Sequence, residues 1–370
     1  MRSIKDIEVH GKRVLLRTGL NVPVDASGAV GDVFRLTRAL MTIEYLSGRG
    51  ARTVVIGHLG RSGDSLRPVY EKLASLTKTS IRFFDGAFDA ARAEAEKLHD
   101  GECLMLENVR RDDGEEKNDL TFACTLADLG DLYVNDAFAD SHRVHASIVG
   151  VATLLPSYAG LLMEEEVSQL SGALTPPSGS IAIVGGAKFE TKQPLIEKLL
   201  GLYGKVCVGG AIANDFLKAR GLNVGASLIS DILPPSELVH DPRVLVQSDV
   251  VVRSESGART CDAADIGGKE AIVDAGPETT EAWGSLIAQA PLVLWNGPLG
   301  VYEENFTAGT DALAQAIDTS ARRAIVGGGD TLAAIEKFSF DSSQVFLSTG
   351  GGAMLEFLST GTLPGIEALG

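Results

Sequence analysis

The chain has 370 residues, 45% of them hydrophobic and 22% charged, with a net charge of −16. That length exceeds what one hydrophobic core ordinarily supports, so two domains are expected; the acidic balance argues against nucleic acid, whose phosphates need a basic face. The mixed-charge opening Met1–Arg17 lacks the apolar core of a secretory leader, and no later run approaches the roughly 18 apolar residues of a membrane span, so a soluble, cytoplasmic protein with no membrane partner is expected.

Short β-branched runs alternate with helix-period stretches along the whole chain. Val14–Arg17, Thr53–Ile56, Cys103–Leu106 and Leu132–Val134 lie in the first half; Ile181–Val184, Val206–Val208, Ala271–Asp274, Leu292–Trp295, Ala324–Val326 and Val345–Ser348 lie in the second. Such runs read as buried parallel strands of α/β units, and two doubly wound parallel sheets are the predicted architecture. Between the halves, Leu161–Leu174 carries one apolar stripe behind Glu164, Glu165 and Glu166, and Thr175-Pro176-Pro177-Ser178-Gly179-Ser180 follows it. This predicts a connecting helix and stiff turn at 161–180, between a first domain of residues 1–160 and a second of residues 181–349.

Charge is unevenly spread. Residues 1–159 hold 20 Lys plus Arg against 23 Asp plus Glu, whereas residues 160–370 hold 13 against 26, and fourteen of the twenty arginines fall in the first part. An arginine fork matches carboxylate and phosphate, which suggests a small anionic ligand; scattered surface arginine is the plainer reading. Arg17, Asn21, Arg35, His58, Arg61, Arg110, His142 and Arg143 all follow predicted strands or open helices, positions that converge on the carboxyl edge of a sheet. Cys103, Cys124, Cys207 and Cys261 show no paired spacing and read as reduced thiols rather than a zinc site or disulfide frame.

In the second half, four glycine clusters each follow a predicted strand: Gly185-Gly186-Ala187-Lys188, Gly209-Gly210-Ala211, Gly327-Gly328-Gly329-Asp330-Thr331 and Gly350-Gly351-Gly352. A lone glycine there is often a tight turn, but four clusters describe a face where bare amides approach phosphate. The loop G-x-x-x-x-G-K-[ST] and the dinucleotide fingerprint G-x-G-x-x-G are absent, which disfavours a P-loop ATPase and a dehydrogenase. Asp330 offers a hard oxygen for magnesium beside those phosphates; a helix cap is its other reading.

The strings LLRTGLNVP (Leu15–Pro23), GHLGR (Gly57–Arg61), LENVR (Leu106–Arg110), EEKND (Glu115–Asp119), VNDAFADSHRVHAS (Val134–Ser147), VGGAK, FLKA, WNGPLGVYE (Trp295–Glu303), VGGGDT, STGGGA and LPGIEAL resemble phosphoglycerate kinase across nearly the whole chain. The resemblance implies two Rossmann-like domains joined by a hinge helix, with the C-terminal tail from roughly Gly350 packing back on the first. It implies reversible phosphoryl transfer from 1,3-bisphosphoglycerate to ADP, with Mg2+ accompanying ADP or ATP, in a monomer whose domains close. Gly19, Asn21, Arg35, His58, Leu59, Gly60, Arg61, Arg110 and Arg143 would line the phosphoglycerate site. Gly186, Lys188, Lys192, Gly209, Gly210, Asn296, Pro298, Glu303, Gly328, Gly329, Asp330 and Thr331 would line the nucleotide site, Asp330 meeting the metal. Arg35 and Lys188, with amides near Gly329 and Gly351, would act on the moving group.

Some positions depart from the family strings. Gly19 stands where RxDxNxP has Asp, Thr191 where an Asp precedes the second lysine, Gly57 and Ser62 where Ser and Pro flank HLGR, and Ala139 where AFGTAHR has Gly. Two alternatives stay open on this reading: a catalytically impaired nucleotide-binding paralogue, and a kinase for a different small carboxylate.

Overall fold

The structure, a computed structural model, describes residues 1–370 and divides into two compact units, Met1–Ser168 with Thr362–Gly370, and Gln169–Gly361. The first runs β1 (Arg13–Thr18), α1 (Val33–Gly48), β2 (Arg52–Ile56), α2 (Arg67–Leu76), β3 (Ile81–Phe84), α3 (Ala91–Ala95), β4 (Cys103–Leu106), α4 (Leu120–Ala127), β5 (Leu132–Asp136) and β6 (Ser157–Ala159). Its six strands form one parallel sheet, β3-β4-β2-β1-β5-β6. The strands are apolar without alternation because helices cover both faces: in β1, Val14 and Leu16 join one core with Val55, Met105 and Val134, and Leu15 is buried as well. Helix α1 begins where the Asp32 carboxylate accepts from Arg35 N at 2.9 Å, a cap of roughly 1 kcal/mol, and it buries Leu36, Leu40, Ile43 and Leu46 against the sheet.

Helix α5 (Leu161–Ala173) carries the division between units. Its first turn is held in the first unit, where Asp136 Oδ1 accepts from Leu162 N at 2.9 Å and Met163 N at 3.1 Å, and where Lys5 and Arg38 pair with Glu164 and Glu165, each at 2.7 Å. Its last turns belong to the second unit, with Arg323 Nη2 donating to Gln169 Oε1 and Tyr203 Oη to Ala173 O. The segment 161–180 is therefore shared rather than separate, because each end satisfies its polar groups on a different unit.

The second unit continues with β7 (Ile181–Val184), α6 (Phe189–Leu200), β8 (Lys205–Val208), α7 (Gly210–Ala219), α8 (Ser236–Val239), β9 (Val244–Val246), β10 (Asp249–Ser254), β11 (Gly257–Asp262), β12 (Ala271–Ala275), α9 (Pro277–Gln289), β13 (Val293–Asn296), α10 (Ala308–Ser320), β14 (Ala324–Gly327), α11 (Gly329–Ala334), β15 (Val345–Ser348) and α12 (Gly352–Thr360); α13 (Pro364–Glu367) returns to the first unit. Its main sheet is again parallel, β15-β14-β13-β7-β8-β9.

Two sequence expectations are corrected. Ala271–Asp274 is not a parallel strand of the main sheet: as β12 it pairs antiparallel with β10 in a three-stranded sheet, β11-β10-β12, where Val250, Val252 and Ile272 share a small core with Leu217, Val224 and Ile266. A four-residue apolar run satisfies either kind of ladder, and only the available edge selects one. The returning tail starts at Thr362, not near Gly350. Helix α12 packs on α6 and buries Ala353, Met354, Phe357 and Leu358 within the second unit, and Gly361 ends it in the left-handed conformation at φ +87°. Beyond it, Leu363 and Leu369 are buried and Gly365 N donates to Ser141 O at 2.8 Å; a Cβ on Gly365 would stand 2.8 Å from both Ile148 and Ser141.

Candidate active site

In each main sheet the chain winds outward in opposite directions from one neighbouring pair of strands, β1 and β5 in the first unit and β7 and β13 in the second. Loops leaving the carboxyl ends at such a pair diverge and leave a crevice. In the first unit these ends carry Gly19 and Asn21 after β1, His58–Arg61 after β2, Arg110 after β4 and Arg143 after β5.

Backbone groups knit these loops together. Asn21 Oδ1 accepts from Gly60 N at 3.0 Å, Arg35 Nη1 donates to Asn21 O at 2.6 Å, and Arg110 Nη1 donates to Gly60 O. Gly60 sits at φ +44° with Asp64 where a Cβ would project, and Asp64 Oδ2 also receives Arg61 N at 2.8 Å. Asn108, fully buried, reaches the carbonyls of Leu59, Arg61 and Asp64 at 2.7–3.0 Å. Arg35 is steadied by Asp32 at 3.6 Å and Arg110 by Glu116 at 3.0 Å, whereas the Arg61 and Arg143 guanidiniums form no ion pair. Burial, with Arg143 and Arg17 adding to it and Glu116 and Asp140 opposing, pulls Arg110 below its ordinary value. Gly57 is explained by its neighbour, since a Cβ there would stand 2.7 Å from Leu20 Cδ1.

Arg17, expected at the edge, is instead buried at 1% exposure beneath the others. It donates through Nη2 to Asp140 Oδ2 at 2.9 Å and through Nε to Ser147 Oγ at 3.1 Å, and Nη2 lies 3.1 Å from His58 Nδ1. Ser147 in turn donates to Glu115 Oε1 at 2.6 Å. Neutralised on two sides, Arg17 organises the floor of the crevice rather than clamping a ligand.

In the second unit three loops meet backbone to backbone. Gly185 N donates to Asn296 O at 2.8 Å, Gly209 N to Val184 O at 2.9 Å and Ile212 N to Gly186 O at 3.1 Å. A Cβ on Gly210, which has φ +63°, would stand 2.8 Å from Gly186 N and 3.0 Å from Pro298 O; one on Gly185 would stand 2.6 Å from Gly297 O. Glycine is required here by close approach, which leaves amides bare for an anion. Gly328 takes φ +105°, Gly329 opens α11 with free space around it, and Gly351 adopts φ +52°, ψ −119°, also in open space. Lys188 is exposed at the cap of α6, and Thr191 Oγ1 closes that turn by donating to Lys188 O at 2.9 Å. Glu303 is exposed on the turn Tyr302–Glu304, and Asp330, also exposed, has only Tyr302 Oη as a side-chain hydrogen-bond partner, at 3.5 Å. Thr331 differs from expectation: its side chain is fully buried and its hydroxyl accepts from Gly297 N at 2.7 Å, so it locks two loops together.

Lys192 Nζ donates to Asn296 Oδ1, whose amide donates to Gly327 O at 2.9 Å. Burial pushes the Lys192 amino group down to about 8, with Asp330 opposing. A phosphate bound beside it would favour the charged form, so that binding would draw in a proton. Titrating ADP at pH 8 without divalent metal, in two buffers of different ionisation heat, is expected to show uptake of about half a proton per ADP, fading toward pH 6.5. Lys192→Gln abolishes the uptake; equal uptake by this variant would assign the proton elsewhere.

The side chains that sequence reasoning missed are Asn108, Asp64, Asp140, Glu115 and Ser147. All lie inside or beside the recognised strings, but none is basic or glycine, the two signals used. Beside the first crevice is a cavity of about 450 Å3 lined by Asn21, Leu59, Gly60, Asp64 and Ser65. A larger one of about 520 Å3, lined by Asp85, Asp89, Glu107, Arg111 and Asp112, presents four carboxylates against one guanidinium.

The family model described as phosphoglycerate kinase matches residues 4–361. The chain is 44% identical over 390 residues to phosphoglycerate kinase of Thermus thermophilus, with all of both chains covered. It is 41% identical over 388 residues to that of Herpetosiphon aurantiacus, covering all of this chain and 98% of the relative. Among solved structures it resembles phosphoglycerate kinase from Pyrococcus horikoshii (TM-score 0.88, 30% identity, covering 100% of this chain and 98% of that one). It also resembles the enzyme from Coxiella burnetii (TM-score 0.82, 38% identity, 99% and 98%).

Proposed function

The chain belongs to the phosphoglycerate kinase family, and on that premise we propose that the crevice of its first unit binds phosphoglycerate and that of its second unit binds the nucleotide. The activity is the family's reversible phosphoryl transfer in glycolysis, by which 1,3-bisphosphoglycerate and ADP give 3-phosphoglycerate and ATP; the enzyme is a phosphotransferase acting on small molecules. No helix is long and apolar enough to cross a membrane. A monomeric, cytosolic enzyme is part of the proposal; its cytosolic part is supported by four unpaired cysteines, two of them buried.

The observation that carries the assignment is the gathering of cations at one such strand pair and bared glycine amides at the other. In the forward direction the bond from phosphorus to the acyl oxygen breaks and a bond to an ADP β-phosphate oxygen forms. The departing carboxylate is a weak base and takes no proton, so no general base is required. What remains is positioning and charge neutralisation. Arg110, Arg61, Arg143 and His58 hold the phosphoglycerate, with Asn21, Leu59 and Gly60 shaping the loop; Gly209, Gly210, Pro298 and Glu303 seat the nucleoside. Lys192 and Asn296 orient its phosphates with Gly186 and Gly328. Arg35 and Lys188 neutralise the migrating group, assisted by amides at Gly329 and Gly351.

The residues fit magnesium arriving with the nucleotide. Asp330 is an exposed carboxylate without an ion pair, no group of three or more His, Cys, Asp or Glu could hold an ion by itself, and magnesium is ordinarily bound by one or two carboxylates plus substrate phosphates. Bound there, it would neutralise phosphate charge. A coupled assay with 3-phosphoglycerate, ATP and magnesium tests the reading, and absence of turnover with intact ADP binding would leave a nucleotide-binding relative without catalysis.

Gly19 has nothing within 4 Å of a projected Cβ and no positive φ, so Gly19→Asp is accommodated without strain. A regained hydrogen bond from a substrate hydroxyl to a charged group contributes roughly 1.5–3 kcal/mol, and KM for 3-phosphoglycerate is expected to fall about tenfold. An unchanged KM would remove position 19 from the substrate site.

A further inference from the structure

Beneath the exposed arginines of the first unit, His58 is 2% exposed and its Nε2 meets no hydrogen-bond partner in the protein. An unpaired buried polar atom is costly, and this one belongs to a ring whose other nitrogen is fully engaged. Arg17 can only donate, so Nη2 at 3.1 Å makes His58 Nδ1 the acceptor and puts the ring proton on Nε2. Burial, which holds the ring below its ordinary value, keeps it neutral even though Asp140 opposes this.

The orientation of Arg17 is set by Asp140. One carboxylate oxygen, Oδ2, lies 2.9 Å from Arg17 Nη2 and 3.4 Å from His58 Nδ1, so a single anion grips the guanidinium nitrogen that feeds the imidazole. On the far side Arg17 Nε meets Ser147 Oγ, itself held by Glu115. Burial raises the Asp140 carboxyl, but the Arg17 guanidinium, with Arg143 beyond it, brings it well below the usual range, so it stays charged. Glu115 likewise ends below its ordinary value: burial opposes, and His145, Arg17 and Ser147 prevail. Two carboxylates around one arginine leave this floor without surplus positive charge.

We propose that Asp140 is a positioning residue for substrate binding: through Arg17 it fixes the His58 tautomer and presents Nε2–H as a neutral donor to the anionic group of phosphoglycerate. The proposal rests on the first crevice being the phosphoglycerate site.

The test joins spectroscopy to kinetics. Long-range proton–nitrogen correlation spectra of the unaltered full-length protein are expected to show His58 protonated at Nε2 with an acceptor-type Nδ1; an Nδ1–H ring overturns the proposal without any variant. Asp140→Asn, which keeps shape and removes charge, is expected to raise KM for 3-phosphoglycerate tenfold or more, to leave KM for ATP within twofold, and to mix the two tautomers. Asp140→Ser serves if the amide variant fails to fold by circular dichroism. Unchanged KM and tautomer in a folded variant overturn the role of Asp140. His58→Gln separates the two levels: if it leaves KM for 3-phosphoglycerate unchanged, the crevice assignment itself fails, whereas a raised KM there with a silent Asp140 variant removes only the positioning role.

Discussion

Arg35→Ala is expected to lower kcat by about a hundredfold or more, the usual consequence of deleting one preorganised charge from a transition state, while KM for ADP stays within about twofold. Arg35 lies in the first turn of α1, behind the Asp32 cap, and its Nη1 grips Asn21 O at 2.6 Å. Its long Asp32 contact, 3.6 Å, leaves the guanidinium charge available rather than spent on a tight ion pair. The fold does not depend on it, because the cap uses the backbone amide of residue 35, which alanine retains. Near-normal turnover of a folded Arg35→Ala enzyme would exclude contact with the migrating group. Arg35→Lys keeps the charge but loses the planar fork and should fall between the two.

Lys188→Ala is expected to be nearly as severe, a loss of about a hundredfold in kcat, with ADP affinity falling far less because Lys192 and the glycine amides remain. The contrast between the two lysines is structural. Lys192 is buried and donates to Asn296, which suits the proposed role of seating phosphate in the ground state. Lys188 is exposed, forms no ion pair and caps a helix whose first amides point the same way. An uncommitted cation of that kind is free to follow charge as it develops. Single-turnover measurements decide the matter: a normal chemical step with weakened ADP binding would reverse the roles of Lys188 and Lys192.

The candidate site was legible in the sequence wherever the backbone or a strand end called for an unusual residue. Glycines at 185 and 210 are demanded because a Cβ at either would stand within 3.0 Å of neighbouring backbone, and their positions after β7 and β8 are visible as strings. The arginines at strand ends were visible for the same reason. Arg17 looked identical to them, yet its neighbour Asp140, 123 residues away, turned it from a ligand clamp into a buried strut. Thr331 and Gly57 are similar cases, their roles set by Gly297 and Leu20.

Sequence alone determined the two parallel sheets, their buried strands and the loops that carry the chemistry, because burial on both faces and bare backbone each impose a local residue pattern. Tertiary structure decided which runs left the main sheet, as β12 did, where the tail changed units at Gly361, and which charged groups became internal partners. Those outcomes depend on strand edges, helix faces and carboxylates supplied from far along the chain, and no local pattern encodes a partner at that distance.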